Sequence, residues 1–136
     1  MKKNRTFILI IFLVLVSALN GQTIGRFKIA SAGIFVERQN KKECIYSLVT
    51  KPNSYLTISR DAIRIMLDDE IKIIPLDFKP NRIDGGRTIT EITCIDLEND
   101  RCNFGLFWDN KDANSVSAIL RFTTHTLSLV LIPLVN

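Results

Sequence analysis

From Arg26 to Ile132 the apolar residues fall in short runs with a period of two, rich in Ile, Val, Thr, Phe and Tyr and separated by polar turn clusters. No stretch beyond the N-terminal leader sustains helical spacing. Side chains alternate between the two faces of a strand, so this pattern commits the chain to half-buried β-strands. Strands are expected at about 26–37, 44–50, 55–59, 62–67, 71–78, 87–96, 102–108, 116–123 and 127–132.

Residues opposite each other across an antiparallel ladder share a face, which tests each pairing. In YLTISRDAIRIML, Ile58 opposite Ile63 brings Leu56 opposite Ile65 around a loop of Ser59 to Ala62. In IRIMLDDEIKI, a two-residue turn would set Ile65 against Lys72. A three-residue loop of Asp68, Asp69 and Glu70 instead matches Leu67 with Ile71 and Ile65 with Ile73. In VSAILRFTTHTLSLVLIP, a loop of residues 123–126 matches Phe122 with Leu127, Leu120 with Leu129 and Ala118 with Leu131. After Ile73 the apolar parity changes at Pro75, which cannot donate to a ladder and marks a bend or bulge. Asp84-Gly85-Gly86 is a turn signal. These features predict a single-domain, all-β antiparallel meander of about eight to nine short strands, forming a strongly curved sheet or small up-and-down barrel. A two-sheet β-sandwich is the alternative.

Lys2, Lys3 and Arg5 precede an apolar run from Phe7 to Val16, followed by small and polar residues, which is the layout of a secretory signal peptide. The run is shorter than the roughly 20 apolar residues of a membrane-spanning helix. Residues 1–21 are therefore read as a signal peptide, cleaved after Ala18 or Gly21, and residues 22–136 as one domain with no transmembrane anchor after cleavage. The expected location is secreted or periplasmic. Of 18 basic residues three leave with the leader, so 15 face 14 acids, too even a balance for a nucleic-acid partner.

Cys94 and Cys102 lie at equal distances from Glu98, the centre of the hairpin CIDLENDRC, and so oppose each other on one face. A directly opposed pair sits near the separation of about 5.5 Å that a disulfide accepts. We expect this pair to be bridged, with a bridge from Cys44 to either of the two as the alternative, and Cys44 otherwise to be a buried thiol.

Asp96, Glu98 and Asp100 copy the first three ligand spacings of a calcium loop, but Arg101 stands where that loop needs glycine and Phe107 where it needs glutamate. If loops 51–54, 68–70, 96–101 and 123–126 gather at one end, Asp68, Asp69, Glu70, Asp96, Glu98 and Asp100 cluster there, a candidate site for Ca2+. Lys41, Lys42, Arg60, Lys79, Arg82, Arg87 and Lys111 would then collect at the other end. No cofactor is otherwise expected. Three scattered cysteines and one histidine serve a zinc site poorly, and His125, between two threonines, reads as a turn residue. No catalytic residue is assigned.

In FGLFWDN, Phe104, Leu106 and Trp108 share one face and Phe107 takes the other. Trp108, Phe107 and Tyr55 are the candidate contacts for a partner or ligand. The expected function is a non-enzymatic module that binds a protein or an envelope component. A carrier holding a small apolar ligand in the barrel interior is the alternative, and a small hydrolase with an unrecognised site is the second. An enclosed apolar volume of about 300 Å³ or more would separate the carrier from an interaction module whose interior is filled by side chains.

Overall fold

The computed structural model describes residues 23–49 and 53–134. Residues 1–21, the segment expected to be a signal peptide, lie outside them. The described residues form ten strands: β1 Thr23–Arg38, β2 Lys41–Val49, β3 Tyr55–Ser59, β4 Ile63–Met66, β5 Glu70–Phe78, β6 Arg82–Asp84, β7 Arg87–Ile95, β8 Arg101–Asp109, β9 Val116–Arg121 and β10 Thr126–Pro133. All pairings are antiparallel. The ladder runs β1-β3-β4-β5-β7-β8-β9-β10, and β10 returns to β1, with Phe27 opposite Pro133 and Phe35 opposite Thr126. The result is a closed eight-stranded barrel, so the sandwich alternative does not hold.

Inward positions carry the core: Phe27, Ile29, Leu56, Ile58, Ile63, Ile65, Ile73, Ile92, Phe104, Leu106, Leu120, Leu127, Leu129 and Leu131 are all buried. Burying each such side chain favours folding by about 1.5–3 kcal/mol.

Two walls are built from broken strands. β2 pairs with the later half of β1 (Ser31 to Arg38), and β3 pairs with the earlier half (Thr23 to Lys28), so both follow the same edge of β1 in line. The Ile29 N–H donates to the Ser54 carbonyl across the break. Likewise β5 pairs with Ile92–Ile95 of β7 and β6 with Arg87–Ile89, and the Lys79 N–H donates to the Glu91 carbonyl between them. β6 was not legible in the sequence as a strand. It is three residues long and exposed throughout, too short to show a period.

The hairpin Ile58–Ile63 and Leu56–Ile65 forms as expected. Two registers differ from expectation by two residues. Ile65 faces Ile71 and Ile63 faces Ile73, so Leu67 enters the loop and Glu70 enters the ladder. That shift brings Glu70 diagonal to Arg64, with which it forms an ion pair at 2.6 Å. Leu120 faces Leu127 and Ala118 faces Leu129, leaving residues 122–125 as the loop. There Phe122 and His125 stack with ring centroids 4.6 Å apart. The bend expected at Pro75 is a register shift between Pro75 and Asp77, after which Phe78 stands opposite the inward-facing Ile92.

The breaks also correct the charge geography. Residues 53–54 sit inside a wall, and the turn at that end is Gln39-Asn40, whose φ angles of 51° and 64° suit a two-residue hairpin turn. Lys41, Lys42 and Glu43 therefore belong with loops 67–69, 96–100 and 122–125 at what we call the upper end. The lower end holds turns 60–62 and 85–86 and loop 110–115. β2 climbs past the barrel rim along β1, so Cys44 has no interior to face and is exposed instead of buried.

Candidate site at the lower mouth of the barrel

The lower end of the barrel opens into a cavity of about 700 Å³. Its deep wall is Phe27, Ile58, Ile92 and Leu106, all buried, with Trp108 and Phe78 nearer the opening. Eight-stranded barrels are wide enough either to be filled by side chains or to hold one small ligand. Here the upper half is packed and the lower half is not.

Local sequence produces that difference. Phe104, Leu120 and Leu129, none of which lines the cavity, belong to the buried core that fills the rest of the ring. Towards the lower end, β5 leaves the wall at its bulge, and residues 79–81 span the gap before β6. Thr90, small and on the Ile92 face of β7, points into the space where a larger residue would fill it. Its Oγ1 donates to Asn81 Oδ1 at 2.8 Å. On the opposite wall the Phe27 ring folds back over Gly25, where a Cβ would lie 3.0 Å from the ring. The ring then meets Trp108 edge to face.

The charged residues lining the cavity are Arg26, Arg60 and Lys79, all exposed at the rim. Among the described residues the ion pairs engage Arg38, Arg64 and Arg82 and none of these three. Lys79 does lie near enough to Glu91 to favour its carboxylate, but the hydrogen bond from Arg82 at 2.9 Å is the main cause that holds Glu91 below the usual carboxylate range. Arg82 and Glu91 thereby pin β6 to β7 at the edge of the gap. Ile24, Phe78 and Leu134 add exposed apolar surface to the lip.

Of the three aromatic candidates, Trp108 lines the cavity. Phe107 lies on the outer face beneath the Arg87 guanidinium, 5.4 Å from the ring centroid. Tyr55 starts β3 opposite Met66, on the outer face away from the mouth. The cavity residues on β1, β3 and β5 escaped the sequence reading because each looks like an ordinary core position. Only the parity change at Pro75 pointed towards Phe78.

The acids at the upper end do not converge. Among the described residues no group of three or more His, Cys, Asp or Glu side chains is placed to hold a metal ion. Asp96 is engaged in its own turn: its Oδ1 accepts the N–H groups of Glu98 and Asp100, each at 2.9 Å. Asn99, with φ 68°, completes a three-residue hairpin loop. Glu70 is held by Arg64, and Asp68, Asp69, Glu98 and Asp100 are exposed.

Cys94 and Cys102 are directly opposed and buried, and their thiols are not bonded to each other in the structure. Burial pushes Cys94 up to about 12, with the neighbouring Cys102 adding to it, and pushes Cys102 up to about 11, with Asp96 adding to it. The Asp96 N–H donates to the Asp100 carbonyl, so alternation along the ladder makes 94/102 a hydrogen-bonded pair, with Cα atoms about 5.5 Å apart. His125 stacks on Phe122 and shares a 2.9 Å hydrogen bond with Thr124, at the end remote from the cavity.

No protein-family model, curated protein or solved structure matches the chain.

Proposed function

We propose that the mature protein is an exported carrier that holds a small, largely apolar molecule in the lower mouth of its barrel. The observation that carries this reading is the cavity of about 700 Å³ walled by Phe27, Ile58, Ile92, Leu106 and Trp108. Ligand sites commonly occupy about 300–1,000 Å³ with apolar walls and few polar groups. The cavity exceeds the expected volume but opens at the lower end instead of being enclosed, and its size supports the carrier over a barrel filled by side chains.

Export is supported by the leader of residues 1–21, with its basic start and short apolar run. In an oxidising compartment the directly opposed Cys94 and Cys102 would be expected to form a cross-strand bridge. Bridging removes two protons and two electrons, which the compartment's thiol–disulfide oxidant would take up. Such a bridge would lie above the cavity and brace the β7–β8 hairpin, whose lower residues form part of the cavity wall.

Native mass spectrometry of protein taken from its own compartment tests the reading. The expected spectrum shows a chain beginning at Leu19 or Gln22 and a small molecule released on denaturation. A bare chain that also leaves the emission of the neutral probe N-phenyl-1-naphthylamine unchanged would overturn it.

A further inference from the structure

We propose that the ligand of this mouth is a single-chain amphiphile with an anionic head, of the long-chain carboxylate class, its chain inside the barrel and its head at Arg26, Arg60 and Lys79. The inference rests on the carrier reading and adds the chemistry of the ligand to it.

Depth separates the two kinds of lining residue. Phe27, Ile58, Ile92 and Leu106 are at most 7% exposed, whereas Arg26, Arg60 and Lys79 are all exposed at the opening. A ligand that satisfies both must be apolar along its body and charged at one end. A polar body such as a sugar or a nucleoside would need donors and acceptors at depth. Of the uncharged polar side chains that line the cavity, Thr90 and Asn81 hydrogen-bond each other on the exposed side, and Trp108 adds a single indole N–H, too few for a body rich in hydroxyl or amide groups. Taking further polar groups out of water without partners is costly.

The sign of the head follows from the rim. The charged lining residues are two guanidinium groups and one ammonium group, with no carboxylate among them. Guanidinium groups match carboxylates through paired hydrogen bonds. A head at the rim keeps part of its hydration, so its charge is never carried into the apolar interior. The exposed Ile24, Phe78 and Leu134 would cover the first carbons of the chain below the head.

The test uses the mature chain and its single tryptophan, Trp108, which lines the site. Emission is followed while dodecanoate, dodecanol and dodecylammonium are added below their aggregation concentrations. Dodecanoate is expected to bind at least tenfold more tightly than dodecanol. That preference should collapse to about twofold or less in the Arg60→Gln/Lys79→Gln variant, with circular dichroism unchanged, and should weaken as salt screens the exposed charges. Equal binding of the acid and the alcohol, or tighter binding of the ammonium, would overturn the anionic head and leave the carrier reading standing. No response of Trp108 to any of the three would overturn both.

Discussion

Phe27 and Trp108 meet edge to face, with ring centroids 5.6 Å apart and planes inclined at 64°. They come from the first and eighth strands and meet only because β10 joins β1 and closes the ring. Their contact forms one side of the lower mouth. Replacing Phe27 by Leu removes the edge-to-face contact and reopens space over Gly25. A loss of about 1–3 kcal/mol in unfolding free energy is expected. Urea unfolding measures it, and the Trp108 emission maximum should move to the red as water reaches the ring.

Thr90 stands where a larger side chain would occupy the cavity. Thr90→Phe should abolish binding of N-phenyl-1-naphthylamine while retaining the far-ultraviolet circular dichroism of the parent. Retained dye affinity at full occupancy would place the binding site elsewhere. The lost Thr90–Asn81 hydrogen bond is worth only about 0.5–1.5 kcal/mol, so the variant should still fold.

The thiols of Cys94 and Cys102 give the reduced protein a pH signature. Both folded-state values are raised, to about 12 and about 11. In the unfolded chain they deprotonate near about 8.5, so the folded state holds more protons than the unfolded state above that pH. The stability they contribute is present below about pH 8.5 and is lost as pH rises towards 11 and 12. Denaturation curves of the reduced protein at pH 7 to 11 should show this fall, and the bridged protein should lack it. Bridging closes a short loop and should add about 2.5 kcal/mol at neutral pH in the chain-entropy view.

Asp96 accepts two backbone N–H groups with one carboxylate oxygen. Asp96→Ala should cost about 1–3 kcal/mol, since charge-assisted hydrogen bonds exceed neutral ones. Glu98→Ala, removing an exposed carboxylate from the same loop, should stay within about 0.5 kcal/mol. Equal effects of the two substitutions in thermal unfolding would contradict this assignment.

Among the described residues the buried Ser54 hydroxyl has no hydrogen-bond partner. Ser54→Ala should raise stability by about 1 kcal/mol or more, because an unsatisfied buried polar group carries its full desolvation cost. Chemical denaturation measures the change directly.

By itself the sequence determined which residues face inward and which hairpins form. Period-two alternation assigns faces locally, and it placed Ile58 against Ile63, Cys94 against Cys102 and the change of parity at Pro75. It could not distinguish Ile65–Ile73 from Ile65–Ile71, nor Leu120–Leu129 from Leu120–Leu127. A slip of two residues leaves every side chain on its own face, so the choice fell to contacts beyond the apolar pattern. In the structure the registers adopted bring Arg64 to Glu70 and stack the rings of Phe122 and His125. Tertiary structure alone decided the closure of β10 onto β1, the alignment of β2 with β3 and of β5 with β6, and therefore the cavity. Those features join residues far apart in the chain, and a void is a property of walls meeting at a distance, which no local run of side chains encodes.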